Sequence, residues 1–243
     1  SNMWRPAPDA SARSDIYRFD RNERTTVFTD EELNKIFANV TAYDLVAYGE
    51  LEPFYSKVSS FFGINRENIL LTSGSDAAIK AVYETYISPG DKVVVTLPNY
   101  AMFSAYAAMF GGEEIQFFHN EDLELNVEQL SDTITSKTRM LVISNPSHTG
   151  KIISNDKLHL LIKKAEKNNV IILIDEAYYH FYKETMIGFI YDYKNLIVTR
   201  TFSKAIGLAS LRIGALVAHR NLLDELYKVK LVHEITGLAA KIG

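Results

Sequence analysis

The chain has 243 residues, of which 47% are hydrophobic and 23% charged, enough to bury a core in one large domain. A net charge of −4 without any basic run argues against a nucleic-acid partner. With no cysteine, disulfides and thiolate metal sites are excluded, a reducing cytoplasmic setting fits, and the six scattered histidines offer no close metal-ligand spacing.

In chain order, Ser1 to Met3 read as a tag remnant before a native Met3, and residues 4–28 as a polar, irregular arm. Thr29 followed by Glu32 is a capping-box signature and predicts a short helix over about 30–39. A second helix is predicted from the low fifties to Phe62, stopped by Gly63. Short apolar strands then recur: "NILLT" 68–72, "KVVVTL" 92–97, "EIQFF" 114–118, "RMLVIS" 139–144, "VIILID" 170–175, "NLIVT" 195–199 and "GALVA" 214–218. Helix-length segments separate them, clearest at 75–87 and at 155–169, the latter capped by Asn155. None of the apolar runs is long enough to span a bilayer, so no membrane partner is expected. Continuous apolar strands with crossover helices predict an α/β fold: three α-β-α layers around a mostly parallel, mixed sheet. Residues 29–243 are expected to form one large domain.

In such sheets, functional residues gather where strands end, at the carboxyl edge. The unusual residues of this chain fall there: "TSGSD", "LPNY", "SNPSHTG", "DEAYYHF" and "TFSK". The segment "VIILIDE" (170–176) has the form of a Walker B strand, but the chain has no matching phosphate loop. At Gly150-Lys151, Ile152 follows the lysine and Asn145 stands where the first glycine should be. There is no G-x-G-x-x-G either, so the dinucleotide reading fails as well. What remains is an amine, an acid and a phosphate cradle, the set that pyridoxal phosphate requires.

On five motifs in order, from about Asn22 to the C-terminus, the chain resembles the fold-type I, class I/II aminotransferases, nearest the histidinol-phosphate aminotransferase group. The resemblance implies a pyridoxal 5'-phosphate-dependent transferase large domain. It would move an amino group between an amino acid or amino-phosphate donor and a keto or aldehyde acceptor. By the same resemblance, Lys204 of "TFSKAIGLASLRIG" forms the Schiff base, Asp175 pairs with the pyridine nitrogen, and Tyr178 hydrogen-bonds the phenolic oxygen. Gly74, Ser75, Thr201, Ser203 and Arg212 would hold the phosphate, and Tyr100 would stack on the ring. Tyr48 of "VAYGELEPFY" matches a tyrosine that reaches the phosphate of the neighbouring subunit, which implies a homodimer. Asn22-Glu23 resembles the family's N-terminal substrate-side segment.

Two features depart from the family. The usual Asn-Asn-Pro-Thr-Gly run, whose asparagine holds the phenolic oxygen, is here "NPSHTG" (145–150), one residue shorter, with His148 where proline is expected. Asn145 is the expected replacement, Ser147 the alternative if the loop shifts, and His148 a loop filler near the substrate. The closing "HEITGLAAKIG" resembles the start of the long helix that leads to the family's small C-terminal domain, so that domain, with its carboxylate-binding arginine, is expected to be missing. A decarboxylase of the same fold, like the threonine-phosphate decarboxylases, is the alternative activity. An incomplete cofactor-fold fragment with a role in assembly is the non-enzymatic one.

Overall fold

A computed structural model describes residues 21–243 of the chain; residues 1–20, where a tag remnant and most of the arm are expected, lie outside the described residues. Seven strands form one sheet: β1 (Ile69–Ser73), β2 (Lys92–Leu97), β3 (Glu113–Phe118), β4 (Thr138–Ser144), β5 (Ile171–Asp175), β6 (Leu196–Thr201) and β7 (Ile213–Ala218). Their spatial order is β1-β7-β6-β5-β4-β2-β3. The pairings among β3, β2, β4, β5 and β6 are parallel, and β7 runs antiparallel to both of its neighbours. The expected mixed, mostly parallel sheet is therefore present, and all seven predicted strands lie within two residues of their predicted ends.

The strands read as unbroken apolar runs because both faces are covered. In β5, Ile172 and Ile174 face one core with Leu158, Leu161 and Ile162 of α7 (Asn155–Lys167). Ile171 and Leu173 face the other, with Ile79 and Val82 of α4 (Gly74–Tyr86) and Phe103 of α5 (Met102–Met109). The same alternation divides Leu141 and Ile143 of β4 from Met140 and Val142. Each such side chain taken from water stabilises the fold by about 1.5–3 kcal/mol before entropy is counted. The second face is completed by α8 (Arg220–Leu226), and the first by α3 (Glu52–Phe62) and α6 (Val127–Asp132).

Local chemistry accounts for the helix ends. At α1 (Asp30–Phe37) the capping box forms in both directions: Glu32 N–H donates to Thr29 Oγ1 at 3.2 Å, and Thr29 N–H donates to Glu32 Oε2 at 2.8 Å. Gly63 ends α3 at φ 66°, a left-handed turn that glycine adopts without steric cost. The expected cap of α7 shifts by one residue. Ser154 has the extended backbone that an N-cap requires (ψ 152°), and Asn155 is already helical.

The chain's last residues also differ from expectation. Thr236 is extended (ψ 148°) and caps a separate six-residue helix, α9 (Gly237–Ile242), so residues 233–236 do not join it in a longer helix. Gly237 lies against Gly49, where a Cβ added to Gly49 would stand 2.4 Å from the Gly237 Cα. That contact docks α9 beside α2 (Tyr43–Val46). Among the described residues, no helix is long and apolar enough to cross a membrane.

Candidate active site

The carboxyl ends of β5 and β6 lie side by side and set the centre of the site. Asp175 closes β5 opposite Thr199 of β6, whose hydroxyl donates to Asp175 Oδ1 at 2.8 Å. Asp175 is 3% exposed, and burial pushes its carboxyl up to about 6 although Thr199 and the Ala177 N–H both favour the charged form. Just beyond β6, Lys204 lies on the turn that follows Thr201. Its Nζ donates to the Arg21 carbonyl at 3.0 Å and stands 5.9 Å from the Tyr178 ring centre. The arm thus touches the site at two points, because Asn22 Nδ2 also donates to the Tyr178 hydroxyl at 2.8 Å.

An anion cradle lies on the other side of β6. Helix α4 starts at Gly74, directly after β1, so the unpaired N–H groups of its first turn face this space. Arg212 takes a left-handed backbone (φ 53°), and its guanidinium bridges the Ser73 carbonyl (3.4 Å) and the Ala209 carbonyl (3.3 Å). Gly74 (φ 76°) is required here, since a Cβ would fall 2.5 Å from Arg212 Nη2. Thr201 and Ser203 add hydroxyls, with the Thr201 Oγ1 hydroxyl donating to Ser203 Oγ at 3.0 Å. Gly214 brings β7 against the same helix start, where a Cβ would lie 2.3 Å from the Gly74 carbonyl carbon. Gly214→Ala is therefore expected to force β7 away from α4 and to lower stability by about 1–3 kcal/mol, read as a fall in the urea midpoint at unchanged slope. An unchanged midpoint would show that the two elements separate freely.

Tyr100, from the loop after β2, supplies an aromatic wall. Its hydroxyl donates to Asp76 Oδ1 at 3.2 Å, and Tyr106 donates to the same oxygen at 3.0 Å. Asn99 anchors the loop by accepting from the Ser144 hydroxyl at the end of β4 (2.6 Å). The result is a cavity of about 100 Å³ lined by Ser75, Tyr100, Asp175, Tyr178, Thr201, Ser203, Lys204 and Arg212. Eight of the side chains expected from sequence share that one space. A second cavity of about 290 Å³ adjoins it through His148 and Tyr178 and is lined by Asn22, Ile152, Phe181 and Tyr182 among others. An amine beside a buried acid and an anion cradle is a set of groups able to capture a phosphorylated carbonyl compound.

The Aminotransferase class I and II family model matches residues 16–233. The chain belongs to that aminotransferase family. Curated relatives include the histidinol-phosphate aminotransferase of Clostridium novyi (strain NT), 33% identical over 97% of this chain and 66% of its own length. That of Thermoanaerobacter pseudethanolicus (strain ATCC 33223 / 39E) is 33% identical over 93% of this chain and 65% of its own. The chain thus spans about two thirds of the length of these curated relatives. Among solved structures, the histidinol-phosphate aminotransferase of Sinorhizobium meliloti in complex with pyridoxal-5'-phosphate aligns with a TM-score of 0.81 at 22% identity. The alignment covers 91% of this chain and 62% of that one. The L-threonine-O-3-phosphate decarboxylase of Porphyromonas gingivalis aligns with a TM-score of 0.76 at 21% identity, over 90% of this chain and 69% of that one. At these identities the structural likenesses show the fold.

One of the expected site residues, Asn145, lies away from the cavity. Asn145 is 4% exposed, and its amide is used on the loop: Nδ2 donates to the Ile153 carbonyl (3.0 Å), and Oδ1 accepts from the Ile153 N–H (2.8 Å). Its side chain does not line the cavity, and His148 of the same loop does. Tyr48 is 81% exposed and stacks on His233 (ring centres 4.1 Å apart, 4° between planes), outside its own chain's cavity. Gly74 contributes backbone and open space rather than a side chain. The sequence reading missed Asp76, which it took only as part of a helix start, and Ala177, which forms part of the cavity floor. Both stand inside motifs already singled out, but the tyrosine partners of Asp76 come from a different loop and helix.

Proposed function

We propose that this chain is the large domain of a pyridoxal phosphate-dependent aminotransferase that passes an amino group from an amino donor to a keto or aldehyde acceptor. The observation that carries the reading is the single cavity shared by Lys204, Asp175 and Arg212. The residues present fit the cofactor. A carboxyl buried and pushed up to about 6 suits a protonated ring nitrogen as its partner, and the space kept open at Gly74 beside Arg212 suits a phosphate. Lys204 would hold the cofactor through Nζ, and Asp175 would face its ring nitrogen. Tyr100 would stack on the ring, and Tyr178 would hydrogen-bond its phenolic oxygen. Ser75, Thr201, Ser203, Arg212 and the first turn of α4 would take the phosphate.

When bound, pyridoxal phosphate supplies an electron sink for the bond broken at the substrate's amino-bearing carbon. The chain's own groups do the rest. Lys204 Nζ, once released, is the base placed to carry a proton away from that carbon. Asp175 keeps a positive charge on the ring nitrogen by matching it in a buried site. Tyr178, its hydroxyl held by Asn22, would offer that hydroxyl to the phenolic oxygen, and Arg21 of the arm lies against Lys204. Tyr48, exposed outside its own cavity, would serve the phosphate of a second copy, making the working unit a homodimer.

The test is to add pyridoxal phosphate to the protein and record its near-visible absorption after dialysis, then to add amino donors singly. A retained band, bleached by a donor with release of the matching keto acid, supports amino transfer. Carbon dioxide release without keto acid would replace it with decarboxylation. No retained band would overturn the cofactor assignment.

A further inference from the structure

The loop after β4 is one of the two places where this chain departs from the family's pattern, and its side chains can be accounted for one at a time. Asn145 turns its amide to the Ile153 backbone, bonding both its N–H and its C=O, and does not line the cavity. Ser147 is 8% exposed, its hydroxyl lies 2.6 Å from Thr149 Oγ1, and it accepts the Thr149 N–H. His148 is left. No described residue hydrogen-bonds its ring nitrogens. The ring lies parallel to Tyr100 (2° between planes, centres 6.4 Å apart) and edge-on to Tyr178 (90°, 5.3 Å). It lines both cavities.

The sheet order says what that ring faces. The phosphate cradle is built on β1, β7 and β6, Asp175 closes β5, and the His148 loop leaves β4 on the opposite side of β5. On the proposed cofactor the phosphate arm and the phenolic oxygen flank the aldehyde carbon on opposite sides. Were the arm held toward β7, the nitrogen at Asp175 and the aldehyde at Lys204, the oxygen would be on the β4 side. On this basis, which rests on the cofactor reading above, we propose that His148 supplies the hydrogen bond to the phenolic oxygen that Asn145 was expected to make. Burial, more than the nearby Lys204, lowers its tendency to take up a proton and so favours the neutral imidazole, which has one N–H to donate. Of the other titratable groups at this cavity, Asp175 faces the ring nitrogen and Asp76 is occupied by Tyr100 and Tyr106. Tyr178 is the second donor to the oxygen.

A donor to this oxygen draws charge from it and weakens its grip on the proton shared with the Lys204 nitrogen, so the absorption band changes at lower pH. The test compares that midpoint in the pyridoxal phosphate-loaded parent, His148→Phe and His148→Gln; the glutamine carries an N–H to about the same reach. In His148→Phe the midpoint should rise by about half a pH unit or more, with weaker retention of pyridoxal phosphate on dialysis, and His148→Gln should restore both. A His148→Phe midpoint equal to the parent's would overturn the inference while leaving the cofactor reading intact. A band missing from the parent would overturn that reading, and the inference with it.

Discussion

Lys204→Ala is expected to abolish the near-visible band formed with pyridoxal phosphate and to lower amino transfer by at least about 10²–10⁴-fold, the scale of a lost proton-transfer group. The folded state should barely notice. Lys204 is half-buried and its Nζ donates to the Arg21 carbonyl at 3.0 Å, a neutral acceptor at the rim of the site, so the change in stability should stay within about 2 kcal/mol. Arginine cannot substitute, because a guanidinium does not give up its proton in a protein and so offers no nucleophilic nitrogen. Absorption of the dialysed Lys204→Ala and Lys204→Arg proteins, beside their circular dichroism, decides the matter. A band surviving in either variant would move the cofactor to another lysine.

Asp175→Asn should separate stability from function in opposite directions. The carboxyl has an ordinary value of 3.8, and burial raises it to about 6 in the folded chain. Between those two values the folded protein keeps a proton that the unfolded chain has released, so stability falls as pH rises through this window. Above about pH 6 the full cost is present, at most about 3 kcal/mol for a shift of roughly two units; below about pH 4 it vanishes. The ligand-free Asp175→Asn protein should therefore be more stable than the parent at pH 8, by about 1–3 kcal/mol, or several degrees in Tm. The gain should shrink at pH 5. The amide cannot match a positive ring nitrogen, so turnover with bound cofactor should fall by about 10²–10³-fold, the usual cost of one lost electrostatic partner. Thermal melts of both proteins at the two pH values provide the check. A variant less stable than the parent at pH 8 would make Asp175 a structural acid held by Thr199.

A buried ion pair supports this arrangement without lining the cavity. Arg200 Nε donates to Glu176 Oε2 at 2.8 Å, Thr185 and the Met186 N–H complete the carboxylate's partners, and the Tyr179 ring lies 3.5 Å from the guanidinium carbon. The network fixes the loop that carries Tyr178 onto the end of β6. Its residues are polar and sit inside an aromatic stretch, and nothing in the linear order of 176, 185 and 200 marks them as partners.

Burial on two faces made the central strands readable, since residues 140–143 of β4 and 171–174 of β5 are apolar whichever core they meet. The same property hid strand direction: an apolar run reads alike in either sense, so the antiparallel course of β7 is visible only in the pairing. Lys204, Asp175 and Arg212 were legible because charged groups at strand ends have few structural uses, and the topology then gathered them. The loop 145–150 was not. Its residues point to Asn145, with Ser147 as the alternative and His148 as a loop filler, whereas the Asn145 amide is bonded to the Ile153 backbone and the His148 ring lines the cavity. Residue types and their order thus determined the layers, the strand ends and the chemistry available there. Side-chain directions and partners depend on atoms distant in sequence, and only the packed structure set them: Asp76 with its two tyrosines, Gly74 against Arg212, and His148 rather than Asn145 in the cavity wall.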